Sequence, residues 1–242
     1  MNIKKILIIS LFLLILASVT IGTSHAASSE KISASSCKIT ETFNKKIASI
    51  YQVYTSNENG GKLYYKINIK KSFQNKYKIL SVKCRYDDYG TTGPFYKIYD
   101  GKNKNSLIIK PYNDSNLELM TINYQTKDKI KKESSNFWEN RFKVLRVSKF
   151  VGKKANLKLK EKGYYSEEKS KDTYITYQKI NIKTINKNYK IKTIKAVYYD
   201  SNNRVSKTLT FKGKGKTTFT KVIKGNFSDK KSFLYEFKIT YY

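Results

Sequence analysis

The sequence predicts an all-β chain of two tandem β-sandwich modules behind a short apolar leader, and three observations carry that prediction. Apolar residues alternate with polar ones at period two through most of the chain. Turn clusters punctuate the alternating segments. The pentapeptide Lys66-Ile67-Asn68-Ile69-Lys70 returns unchanged as Lys179-Ile180-Asn181-Ile182-Lys183. A chain of 242 residues, 39% hydrophobic and 14% aromatic, can fill such cores despite a formal charge of +31.

Residues 1–26 read as a secretory signal peptide, helical in its apolar core. Lys4 and Lys5 precede the apolar runs Ile6 to Ile9 and Leu11 to Ala17, and Ser24-His25-Ala26 forms a small-residue cleavage site. The alternative is an uncleaved signal anchor, because the uncharged stretch from Ile6 to Ser24 approaches the ~20 residues that cross a bilayer. Membrane contact is expected only through this segment, and only if it stays uncleaved.

The first module, 27–126, has strands expected near 47–54, 63–71, 77–86, 95–99, 105–110 and 117–124. Leu63, Tyr65, Ile67 and Ile69 form one face of such a strand, and Tyr64, Lys66, Asn68 and Lys70 the other. Residues 127–149 are a linker or an extra strand. Asn136 with Glu139 three residues on could cap a short helix there, or a strand could run from Phe142 to Val151. The second module, 150–242, repeats the pattern near 154–160, 173–183, 189–199, 204–211, 216–224 and 231–241. Ile109-Lys110 answers to Ile223-Lys224, and Ile122-Asn123-Tyr124 to Ile239-Thr240-Tyr241. A repeat of that length is domain-sized rather than a solenoid period. Six or seven short strands per module predict a sandwich, immunoglobulin-like in the broad sense, with an open barrel as the alternative.

The signal segment, the Tyr- and Lys-rich strands and the run from Arg204-Val205-Ser206-Lys207 to Lys212-Gly213-Lys214-Gly215-Lys216-Thr217-Thr218 together give a resemblance. The chain resembles secreted adhesin-like proteins with tandem immunoglobulin-like modules from methanogenic archaea. The resemblance is compositional, spans both modules, implies a cell-envelope role and transfers no functional residue.

Several chemistries fall away. The single histidine, His25, lies in the leader, so the mature chain has no imidazole for triad catalysis, general acid–base work or a zinc site, and two cysteines cannot make a four-thiolate site. No metal or cofactor is expected. Gly215-Lys216-Thr217 imitates the end of a phosphate loop, but Thr210 stands where its first glycine belongs. Asp87-Asp88 and Glu167-Glu168 have no spacing that predicts two carboxyls facing across a glycosidic bond, and Asp88 and Asp200 read as turn residues.

Cys37 and Cys84 are a candidate disulfide in an exported protein; Cys84 as a small core residue beside a free Cys37 is the alternative. Asn113-Asp114-Ser115 and Asn226-Phe227-Ser228 are glycosylation sequons at matching places after the two Ile-Lys pairs, and plain polar turns otherwise.

The basic excess falls mostly in the second module. Its expected patch is a Lys-rich hairpin carrying Lys207, Lys212, Lys214, Lys216, Lys221 and Lys224, turning at Gly213-Lys214-Gly215. The excess also has a bland explanation, codon bias combined with outward strand positions. Sequence-specific nucleic-acid binding is not expected, because lysine is a point charge that cannot fork onto base edges and arginine is limited to Arg85, Arg141, Arg146 and Arg204. The expected function is therefore that of a secreted or cell-surface, non-enzymatic, adhesin-like glycoprotein binding anionic cell-wall polymer or glycan. A secreted carboxylate-dependent glycan-acting enzyme is the alternative.

Overall fold

The computed structural model describes residues 27–87, 93–111, 116–137, 143–164, 175–200, 202–226 and 234–242, and residues 1–26, expected to be a signal peptide, lie outside them. The chain is all-β and sandwich-like, with one 3-10 turn at Lys71–Phe73 among the described residues. Its strands are β1 (Ser28–Asn44), β2 (Ala48–Asn57), β3 (Gly60–Ile69), β4 (Lys78–Asp87), β5 (Phe95–Lys104), β6 (Ser106–Ile109), β7 (Asn116–Gln125) and β8 (Ile130–Asn136). They continue as β9 (Lys143–Val151), β10 (Ala155–Tyr164), β11 (Ile175–Thr184), β12 (Ile191–Tyr199), β13 (Val205–Lys216), β14 (Thr218–Asn226) and β15 (Leu234–Tyr241). Residues 127–149 thus hold β8 and most of β9, and Asn136 ends a strand where it could have capped a helix.

A long sheet of order β6-β3-β2-β1-β9-β10-β11-β14 forms one layer, and every pair in it is antiparallel. Two four-stranded sheets cover it, β5-β4-β7-β8 over one half and β13-β12-β15-β1 over the other. β1 belongs to both layers. Residues 28–33 pair with β15; then a register shift between Ala34 and Ser36 turns the strand into the long sheet, where it lies between β2 and β9. A bulge is how a strand changes sheet at a sandwich corner.

Both cores lie on the same face of the long sheet. The register Cys37↔Ser148 puts Phe43 on the same side as Ser148 and Phe150, and alternation carries that side to Ile50 and Ile67 in one direction and to Leu157, Leu159 and Ile180 in the other. Phe43, Ile50, Ile67, Ile79, Val82, Tyr86 and Tyr124 belong to the first core; Phe150, Leu157, Ile180, Ile194, Phe237 and Tyr241 belong to the second.

The repeat is preserved in register. The two copies of Lys-Ile-Asn-Ile-Lys occupy β3 and β11, where Asn68 accepts a hydrogen bond from Ser106 (2.8 Å) and Asn181 one from Thr220 (3.0 Å). Each half closes with an eighth strand carrying a glutamate. Glu133 on β8 accepts from the Tyr124 hydroxyl (2.9 Å) and the Ile47 N–H (3.0 Å). Glu30 on β1 accepts from the Tyr241 hydroxyl and the Lys154 N–H (3.2 Å). The eighth strand of the second half therefore comes from the beginning of β1, not from the end of the chain. Residues 150–242, expected as a self-contained module, lack that strand and also the body of β9.

Candidate functional site

The six lysines expected on one hairpin are divided between two layers. β13 pairs with β12 in a cover sheet and β14 pairs with β11 in the long sheet, so the two strands are not ladder partners. Gly213-Lys214-Gly215 is not the turn. It is a bulge inside β13, with Lys214 at φ 56° and Gly215 at φ 65°, and the chain crosses layers at Thr217. Lys212 and Lys224 consequently lie on the outer faces of opposite layers. Lys207 and Lys221 share the parity of the inward residues Tyr198 and Ile180 but are exposed at sheet edges. Two strands joined by a short turn read as a hairpin, yet a sandwich can use the same turn to pass between layers.

A larger basic surface lies on the outer face of the long sheet. It carries Lys38 on β1, Lys62 and Lys66 on β3, Lys149 on β9, Lys158, Lys160 and Lys162 on β10, Lys179 and Lys183 on β11, and Lys224 on β14. No Asp or Glu shares that face among the described residues. The only carboxylates on the strand segments of this sheet are Glu41 and Glu161, and both have inward parity. Lysines even oppose lysines directly, Lys149↔Lys158 and Lys160↔Lys179, an arrangement that destabilises a sheet unless something neutralises it. Tyr51, Tyr64 and Tyr177 stand among them, and the Lys224 ammonium lies 5.9 Å from the Tyr177 ring centroid. With strands ~4.8 Å apart and like-facing residues ~7 Å apart along each strand, the stems form a close grid.

Beneath these lysines the inner face of the same strands carries a polar row. Arg146 on β9 faces Glu161 on β10, with Nε 3.7 Å from Oε2, and Glu161 accepts from Gln178 on β11 (2.7 Å). Gln178 in turn accepts from the Tyr198 hydroxyl (2.5 Å), and the Tyr235 hydroxyl donates to Ser148 (2.9 Å). Burial holds the Glu161 carboxyl above its usual range, although the Arg146 charge pulls the other way. This row was not legible in the sequence, because Arg146, Glu161 and Gln178 sit on three different strands and no local spacing links them.

Cys37 and Cys84 are both free, which overturns the disulfide. Cys37 lies on β1, where its sulfur accepts from Arg146 Nε (3.3 Å); Cys84 is fully buried on β4 in the first core, in another layer. Burial pushes the Cys84 thiol up to about 12. Asn226 ends β14, while Asn113, Asp88, Glu167, Glu168 and the rest of the Asn226 sequon lie outside the described residues. No cluster of potential metal ligands occurs among the described residues. The chain matches no family model, no curated protein and no solved structure.

Proposed function

We propose that this is an exported, non-enzymatic cell-surface protein, adhesin-like in its role, that binds an anionic polymer across the outer face of its long sheet. The lysine face, which carries no carboxylate among the described residues, supports this reading. An ordinary solvated face intersperses both signs, whereas this one accepts like-charge neighbours, an arrangement that a bound polyanion relieves. Each exposed lysine contact contributes on the order of 1 kcal/mol or less, and screening acts over ~8 Å at physiological salt, so binding requires many contacts at once. The halves are read as immunoglobulin-like in the broad sense, each with eight short antiparallel strands in two layers. Export is supported by the Lys4-Lys5 charge, the apolar run and Ser24-His25-Ala26, and cleavage after Ala26 leaves β1 intact from Ser28. Glycosylation at Asn113 and Asn226 belongs to the same reading.

Retention of residues 27–242 on heparin and on polyphosphate resins, followed through a salt gradient, tests the proposal. Replacing Lys149, Lys158, Lys160 and Lys179 with Gln should move elution to clearly lower salt. Replacing Lys207, Lys212, Lys214, Lys216 and Lys221, none of which lies on that face, should move it less, despite removing more charge. Equal shifts per charge removed would show that only net charge matters and sink the proposal.

A further inference from the structure

We propose that the fork where β1 leaves β15 is a binding site for one neutral hexopyranose unit, held among Tyr235, Tyr199, Arg146, Glu236 and Asn203. β1 pairs with β15 as far as Ser33↔Glu236 and with β9 from Ala34↔Phe150. The parting strands leave a pocket of about 340 Å³ lined by those five side chains with Ser33 and Ala34.

The other half of the molecule shows why the space exists. Ala34 follows Glu30 on the eighth strand as Phe137 follows Glu133 on its counterpart. Phe137 fills the corresponding volume, packing edge-on against Phe43 (ring centroids 4.5 Å apart) and Tyr65 (5.5 Å). In the second half the phenyl ring is reduced to a methyl group, and the ladder positions that correspond to Phe43, Tyr65 and Leu117 carry Ser148, Gln178 and Tyr235. One repeat plugs the fork and the other leaves it open, with a few polar groups set in a mostly apolar lining.

The chemistry of those walls selects a neutral polar guest. Glu236 is already paired with Lys31 (2.8 Å) and accepts from the Tyr199 hydroxyl (2.7 Å). Burial alone would raise its carboxyl, but these two hydrogen bonds and the Lys31 charge outweigh it and hold Glu236 below its usual range. Arg146 is matched by Glu161, and its guanidinium carbon lies 5.7 Å from the Tyr235 ring centroid. An ion entering the pocket therefore meets no uncompensated opposite charge and still loses its hydration. A pyranose instead sets its C–H face against tyrosine while its hydroxyls donate to Glu236 and accept from Arg146 and Asn203. The Asn203 turn is preformed, because the Asp200 carboxylate accepts from the Asn202 N–H (2.9 Å) and the Arg204 N–H (2.8 Å).

The pocket stands apart from the lysine face and does not depend on it. The test is saturation-transfer NMR on residues 27–242 with methyl glucoside, methyl galactoside and N-acetylglucosamine, each at about 10 mM to match a millimolar Kd. At least one should bind. Ala34→Phe should abolish the signal while keeping the thermal transition, since Phe137 shows that the fork accommodates a ring. Tyr199→Ala and Asn203→Ala, both surface changes, should each weaken binding about tenfold and provide the reading if Ala34→Phe fails to fold. No binding by any of the three sugars, undiminished binding in Ala34→Phe or in both surface variants, or tighter binding of glucuronate or glucosamine than of the neutral sugars would overturn the proposal.

Discussion

Gly101 and Gly213 occupy the same place in the two halves. In each, one residue on the inner strand opposes three on the edge strand: Leu80 against Gly101 to Asn103, and Lys192 against Gly213 to Gly215. A Cβ on Gly101 would stand 2.2 Å from the Ile79 carbonyl oxygen, and one on Gly213 would stand 2.3 Å from that of Ile191. Backbone oxygens cannot rotate away as a side chain can. Gly101→Ala and Gly213→Ala are each expected to lower stability by about 1–3 kcal/mol in urea unfolding, with the m-value unchanged. The buried tyrosines set a second expectation. Tyr65, Tyr86, Tyr124, Tyr198, Tyr235 and Tyr241 are held by burial above the ordinary value of 10.0. Above pH 10 the unfolded chain releases these protons and the folded chain retains them, so stability is intact below that pH and falls as pH rises. Alkaline titration should show part of the tyrosinate absorbance appearing abruptly with loss of β-sheet circular dichroism; smooth titration of every tyrosine near 10 would contradict the burial.

At the scale of elements, β1 determines how the chain can be divided. Its beginning supplies the second core with Ile32 and the Glu30 carboxylate that receives Tyr241, while its remainder supplies the first core with Phe43. Deleting residues 27–34 should abolish folding of the second half, and Ile32→Ala alone should cost about 2–5 kcal/mol. Residues 150–242 by themselves should stay unfolded by circular dichroism. Ser28 and Tyr241 are ladder partners, so a short turn after Tyr242 can lead back into residue 27. A permuted fragment, residues 143–242 followed by that turn and residues 27–35, should recover a cooperative β transition. If residues 150–242 fold as well as the permuted fragment, the assignment of β1 as the eighth strand is wrong.

Across the whole molecule, the two cores share one uninterrupted sheet through the pairing of β1 with β9, so neither half can open without exposing the other's edge. A single unfolding transition by heat or urea is the expected result for residues 27–242. The lysine face makes that transition sensitive to salt. Lys149↔Lys158 and Lys160↔Lys179 repel in the folded state, and added salt or a bound polyanion screens them. Tm should therefore rise from low to physiological salt. The Gln variant at Lys149, Lys158, Lys160 and Lys179 should be the more stable protein at low salt, with a flatter response. A salt-independent Tm in the unsubstituted protein would mean that these lysines are too well solvated to oppose one another.

The strand class, most strand positions and the repeat were legible in the residues alone, because alternation, turn chemistry and composition are local properties. The sequence also marked the second half as the more basic. Ladder partners are not local. That β13 and β14 part into different layers, that β1 serves both cores, and that Lys149 meets Lys158 all follow from pairings between residues distant in the chain. Glu30 and Glu133 illustrate the limit: they do the same work, yet one stands at the start of β1 and the other in a stretch that reads as linker. The pocket depends on the tertiary structure even more completely, since Ala34 means nothing until the fold sets it opposite the place that Phe137 fills.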